Sequence, residues 1–197
     1  MERFYYERPS IARKDRIIDF LDEFVSHGSE INGSGSLDRI YEGYTFEEAL
    51  ENCLNMEDPE YARGRNWCPG KTLLLIREND DRIVGTVNVR WDMPADKQRF
   101  RGNIGYGIRP TERMKGYAKL NLYMALKEAY KLGMERVMIG CSADNSASER
   151  TIQALGGILD RKEIDPEDNT LSCYYWIDVL ESINENRERY EGYIYER

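Results

Sequence analysis

The sequence predicts an α/β (α+β) chain: a mixed sheet with helices on its faces. Three observations carry this. Two strands and a turn at 72–91 read as a hairpin, and a third strand follows at 102–109. A long helix then crosses over at 116–132. Strand, helix, strand and strand complete the series to 179, and three strands in a row before a helical crossover suit a mixed sheet. The 197 residues, 41% of them hydrophobic, suit one domain with a core of its own.

In order, residues 11–27 read as a helix, because Ile11, Ile17, Ile18, Leu21, Phe24 and Val25 recur at helical spacing and Gly28 offers a stop. Asn32-Gly33-Ser34-Gly35-Ser36 reads as a surface loop. Thr45 with Glu48 three residues on forms a capping box for a helix at 45–56. Asp58-Pro59 and Cys68-Pro69-Gly70 bracket a stretch expected to be irregular. Leu73-Leu74-Leu75-Ile76, a turn at Asp80-Asp81 and the alternating 83–91 give the hairpin. In the strand at 102–109 the glycines Gly102, Gly105 and Gly107 predict a bulge or a close backbone approach. Ala118, Leu122, Ala125, Leu126 and Ala129 mark the buried face of the next helix, and Gly133 ends it. Val137 to Cys141 is a short buried strand. Asn145 and Ser146 announce a helix at 146–155, and strands at 157–163 and 172–179 follow. The charged end, 181–197, reads as a surface helix and frayed tail.

Composition excludes several chemistries. Lys+Arg total 28 and Asp+Glu 36, a net charge of −8, which argues against nucleic acid as a partner because phosphate neutralisation needs excess cations. No apolar run is long enough to cross a bilayer, and the first residues carry charges where a signal peptide would be apolar, so a cytoplasmic protein is expected. Cys53, Cys68, Cys141 and Cys173 form no C-x-x-C pair and read as reduced thiols. The lone histidine, His27, reads as a helix C-terminal cation, and no metal site is expected.

The chemistry concentrates in the turn from strand to helix at 108–119. Between Lys97 and Lys119 there are seven basic residues and one acid, Glu112, in a chain that is acidic overall. Gly116 permits a tight turn, the first N–H groups of the following helix are free, and Arg113, Lys115 and Lys119 add charge. This is an anion site that predicts a phosphate-bearing ligand. It is neither a P-loop nor a dinucleotide fingerprint, since the glycine spacing of both is absent.

Arg113-Met114-Lys115-Gly116-Tyr117-Ala118 resembles the Q/R-x-x-G-x-G/A signature of the GCN5-related N-acetyltransferases, the GNAT superfamily. Ile108-Arg109-Pro110, Asp144-Asn145-Ser146-Ala147-Ser148 and Leu155-Gly156-Gly157 resemble its neighbouring segments in order and spacing, over roughly 72–179. The resemblance implies a mostly antiparallel sheet flanked by helices, with central strands splayed apart. It implies a single domain: acceptor-side helices and loops at 1–71, a cofactor-binding core at 72–179 and a tail at 180–197. Acetyl-CoA is then the donor, with its pyrophosphate on the N–H groups of Met114, Lys115, Gly116, Tyr117 and Ala118. Arg113, Lys115 and Lys119 assist, and Pro110 lies where strand gives way to loop. The N–H of Ile108 or Arg109 would polarise the thioester carbonyl, and Asn145 with Ser148 would contact the cofactor's amide arm.

The pattern departs from the family in its proton carriers. Ile152 stands where many members have a tyrosine, and Arg101-Gly102-Asn103-Ile104 lacks the strand glutamate of many others. Tyr106 is the first candidate to face the thioester, followed by Glu30, Asp92 and Tyr123. The expected function is acetyl transfer to a primary amine by direct attack in a ternary complex. An acid surface around the cleft would favour a cationic acceptor such as a polyamine, and the chain would act as monomer or homodimer. The alternative is a non-catalytic acyl-CoA-binding or sensor module.

Overall fold

The structure is a computed structural model that describes residues 2–166 and 169–195. Seven strands form two sheets. The first has the order β1-β2-β3-β4, from β1 (Phe4–Glu7), β2 (Gly70–Arg77), β3 (Arg82–Arg90) and β4 (Ile104–Ile108), every pair antiparallel. The second has the order β5-β7-β6, from β5 (Arg136–Ser142), β6 (Ile158–Ile164) and β7 (Leu171–Asp178), again antiparallel.

The apolar run Leu73 to Ile76 has no alternation because both faces of β2 are buried. Leu73 and Leu75 join one core cluster, Leu74 and Ile76 the other. Helix α1 (Lys14–Ser26) covers the second face with Ile17, Phe20, Leu21 and Phe24, one stripe at 3–4-residue spacing. Helix α2 (Phe46–Asn55) shares that face and starts at the expected capping box, Thr45 with Glu48. The other face is covered by α5 (Tyr117–Lys131), whose crossover carries the chain from the first sheet to the second. Helix α6 (Ser146–Ala154) packs beside it.

Several elements were not legible in advance. Strand β1 is there because Phe4 and Tyr5 each enter a different core cluster, which its charged flanks obscure. The stretch expected to be irregular holds α3 (Pro59–Gly64), capped by Asp58 with Pro59 in the first turn. A turn of 3-10 helix spans Leu37–Glu42 and α4 (Ala95–Arg101) precedes β4. The first helix begins three residues late, after a 3-10 turn at Ile11–Arg13, and leaves Ile11 and Val25 exposed. Helix α7 (Val179–Tyr190) is the expected C-terminal helix, tied to the core by Tyr190 and Val179, but the tail expected to fray is docked: after a 3-10 turn at Glu191–Tyr193, Ile194 bridges to Phe4 and the Tyr195 N–H donates to the Phe4 carbonyl.

No helix of the described residues is long and apolar enough to cross a membrane. All four cysteines are free thiols. His27 caps α1, its Nδ1 2.8 Å from the Glu23 carbonyl oxygen.

Candidate active site

The two sheets meet at the start of β4 and β5. The Asn103 N–H donates to the Met138 carbonyl (2.6 Å), and the Met138 N–H donates to Asn103 Oδ1 (2.8 Å). Beyond this clasp β4 and β5 belong to separate sheets and diverge. The opening faces their C-terminal ends, where the 109–116 and 143–145 turns lie.

Register decides which groups face it. The N–H groups of Arg90 and Arg109 donate to Asn103 and Val84, so 90/103 and 84/109 are hydrogen-bonded pairs of the antiparallel ladder. By alternation the backbone N–H groups of Tyr106 and Ile108 turn away from β3, toward the opening. Arg109 therefore departs from the role expected of it. Its N–H is committed to Val84, and its side chain, only 2% exposed, donates to the Ile83 carbonyl, Glu23 and Asp19. It ties α1 to the strand end. Of the two carbonyl-polarising donors expected, only Ile108 faces the opening.

The loop after β4 begins with a 3-10 turn at Pro110–Glu112. Glu112 is buried and held by Arg77, Arg82 and Lys115. Burial alone would raise its pKa, but its bonds to Lys115 and Arg77 hold it below the usual glutamate range. The charge reversal read from sequence is thus partly internal: Lys115 answers Glu112, Arg109 answers Asp19 and Glu23, and Arg99 answers Glu163. Arg113 donates to the Ile108 carbonyl and Ser29 and lies over Phe24. Lys119 makes no ion pair or side-chain hydrogen bond among the described residues.

Past Glu112 the backbone turns outward. Met114 (φ 64°) and Gly116 (φ 86°) both take left-handed conformations, and the Met114 side chain is 95% exposed. None of the N–H groups from 114 to 118 donates to a described residue, so five consecutive donors stand without a partner among the described residues at the start of α5. A Cβ at Gly116 would meet nothing within 4 Å, so the cradle is open on that side. The Tyr117 ring is buried and its hydroxyl is bound by Glu2 and Arg77, so only its backbone faces this turn. Ala118 is half-buried behind it.

Across the opening stands α6. Asn145 caps it, its Oδ1 accepting from the Ser148 N–H at 3.0 Å. The Ser148 hydroxyl lies 2.9 Å from the Tyr106 hydroxyl, linking β4 to α6 over the divergent strands. Burial pushes Tyr106 up to about 12 and the neighbouring Cys141 thiol up to about 11, so both keep their protons at neutral pH. Ile152 is fully buried. Tyr123 is buried as well, with its hydroxyl on Glu191, outside the opening. Glu30 and Asp92 are exposed. Glu149, the acid in the first turn of α6, is engaged by the Tyr175 hydroxyl at 2.6 Å.

The model of the acetyltransferase (GNAT) domain matches residues 38–158, more than half of the chain. The chain belongs to the GNAT acetyltransferase family. No curated protein matches its sequence. Solved structures share the GNAT fold at low identity. A ribosomal-protein-S5-alanine acetyltransferase from Vibrio fischeri is 14% identical, with a TM-score of 0.66 over 90% of this chain and 94% of that one. A spermidine N-acetyltransferase from Vibrio cholerae, in complex with CoA and spermine, is 11% identical, with a TM-score of 0.61 over 92% and 99%. A microcin C7 self-immunity acetyltransferase, in complex with acetyl-CoA and AMP, is 14% identical, with a TM-score of 0.61 over 89% and 92%. Among the described residues of this GNAT domain no group of three His, Cys, Asp or Glu side chains is placed to hold a metal ion. Two features beside the opening escaped sequence reading, the Asn103 clasp and the Arg77–Glu112 pair. The lone acid inside a basic stretch was the available signal for the second.

Proposed function

We propose that this GNAT domain transfers the acetyl group of acetyl-CoA to a primary amine by direct attack in a ternary complex. The observation that carries the reading is the run of unpaired N–H groups at 114–118, placed at the mouth of the opening between β4 and β5. Five backbone donors at a helix start suit a pyrophosphate, and Lys119 and Arg113 add charge beside them. An extended amide arm would continue along β4, where the N–H groups of Tyr106 and Ile108 lack a strand partner. The side-chain amide N–H groups of Asn145 have no partner among the described residues and would meet that arm while Oδ1 caps α6. The CoA- and acetyl-CoA-bound relatives support the donor, and the spermidine acetyltransferase supports the amine.

The donor supplies an activated thioester. The amine nitrogen forms a C–N bond to its carbonyl carbon, the C–S bond breaks, and the proton lost by nitrogen ends on the sulfur. The Ile108 N–H stabilises the carbonyl oxygen as charge builds there. Tyr106 retains its proton and donates a hydrogen bond to the departing sulfur, with Ser148 fixing its hydroxyl. Its pKa lies above that of an ordinary thiol, so stabilisation of the thiolate, without complete transfer, is its role. Juxtaposing both substrates supplies much of the acceleration.

The test is twofold. CoA should raise the melting temperature in proportion to its affinity, and acetyl-CoA with an amine panel should release free thiol. No thermal shift overturns the donor assignment. A shift without thiol release on any amine makes the chain a non-catalytic acyl-CoA-binding module.

A further inference from the structure

A cavity of about 420 Å³ lies on the α1–α2 face of the first sheet. Its volume suits a small organic ligand. Met56 and Trp67 give it apolar walls, and Arg39, Arg65 and Arg90 give it charge, while no carboxylate lines it. In a chain of net charge −8 this is a second local reversal. Asp38 and Glu57, which act on the Cys53 thiol at range, are engaged elsewhere, by Ser34 and Arg8.

The neutral polar groups of the cavity satisfy one another. Asn52 donates to Ser36 and accepts from Tyr61, and Asn88 donates to Thr72. The arginines are less fully engaged. Arg39 has Glu42, but among the described residues Arg65 has only the Tyr61 ring beneath it. Arg90 faces no carboxylate among the described residues. It uses two of its five N–H donors, on the carbonyls of Gly102 and Arg101. Burial without a counter-ion pulls it down to about 10, and a bound anion would reverse that penalty. Arg90 also carries the cavity wall to β4: its Nη2 lies 3.5 Å from where a Cβ of Gly105 would be. Gly105 and Tyr106 are adjacent on β4 and present opposite faces, so this cavity and the Tyr106–Ser148 pair flank the same strand.

Resting on the acetyl-transfer reading above, we propose that this cavity is the acceptor site and that it selects a primary amine carrying an anionic group, a carboxylate or a phosphate, which Arg90 and Arg65 bind. This departs from the cationic acceptor expected from net charge, because the acids of this chain lie elsewhere than on the cavity wall.

The experiment uses the full chain saturated with CoA. Phosphoethanolamine and γ-aminobutyrate are the anionic probes, one for each source of charge, and spermidine is the cationic one. At least one anionic probe should raise the melting temperature of the CoA complex. With acetyl-CoA it should also release thiol with a KM about tenfold or more higher in Arg65→Gln, since a charge-assisted bond is lost. The affinity for CoA should not change. Arg90→Met should act likewise; because Arg90 also holds two carbonyls, Arg65→Gln is the variant that decides if Arg90→Met fails to fold. A shift from spermidine alone, no shift from either anionic probe, or shifts that persist in Arg65→Gln would overturn the proposal. Failure of CoA itself to shift the wild-type protein would instead overturn the donor assignment.

Discussion

Asn103 and Met138 exchange two hydrogen bonds and form the hinge line of the site: backbone to backbone at 2.6 Å, and backbone to side chain at 2.8 Å. The side-chain bond replaces a second ladder bond, so β4 and β5 are joined without continuing as a sheet. Asn103 also accepts from Gln98 and donates to the Arg90 carbonyl, which ties α4 and β3 to the same point. Gly102 allows the approach, since a Cβ there would lie 2.7 Å from the Met138 carbonyl oxygen.

Asn103→Ala should destabilise the chain by about 2–4 kcal/mol, because it strands the buried Met138 N–H as well as removing the bonds themselves. Urea unfolding measures this. A loss within 0.5 kcal/mol of zero, roughly the scatter of surface substitutions, would mean that the clasp does not hold the sheets together.

Gly116→Glu should abolish CoA binding while Gly116→Ala leaves the chain folded. The left-handed φ of 86° costs either variant about 1–2 kcal/mol, but no atom lies within 4 Å of the new Cβ. What separates them is a carboxylate placed at the N–H run. Isothermal titration with CoA reads the difference, and equal affinities for the glutamate variant and wild type would refute the cradle.

Tyr106→Phe should lower kcat by about 10- to 100-fold, the worth of one hydrogen bond to a developing thiolate. KM for acetyl-CoA should move little. Because burial holds the phenol up to about 12, the ratio of wild-type to variant rates should stay flat from about pH 6 to 9. A ratio that collapses within that range would show that Tyr106 loses its proton there and acts otherwise.

Glu112→Gln should cost about 1.5–3 kcal/mol at neutral pH, since Arg77, Arg82 and Lys115 lose a buried carboxylate while Arg77 keeps Asp80. The sign of the pH effect follows from the lowered native pKa. The carboxylate stabilises the fold fully above its ordinary value of 4.5, and the benefit is lost as pH falls through the lower native value. Wild type should therefore lose more stability than the variant between about pH 5 and 3. Parallel curves of unfolding midpoint against pH would remove Glu112 from the acid response.

Much of the fold was legible because its signals are local. The Thr45–Glu48 box, the Gly133 stop and the alternation of β3 each act within a few residues, and each element forms where its signal lies. The elements missed are those whose signal is tertiary. Strand β1 exists because Phe4 and Tyr5 fill two cores at once, and α4 because its turn leads into the Asn103 clasp.

The same division runs through the site. The turn from Arg113 to Ala118 was legible as a glycine-bearing helix start, because Gly116 and the periodicity of α5 are local signals, and the structure gives Gly116 the left-handed conformation there. Tertiary structure decided the rest. It withdrew Arg109 into an ion pair with α1, set Tyr106 against Ser148 from 42 residues away, and gathered Arg65 and Arg90 from a helix end and a strand end into one cavity. Such groups share no spacing in the chain. Strand register and the divergence of two sheets are what bring them together.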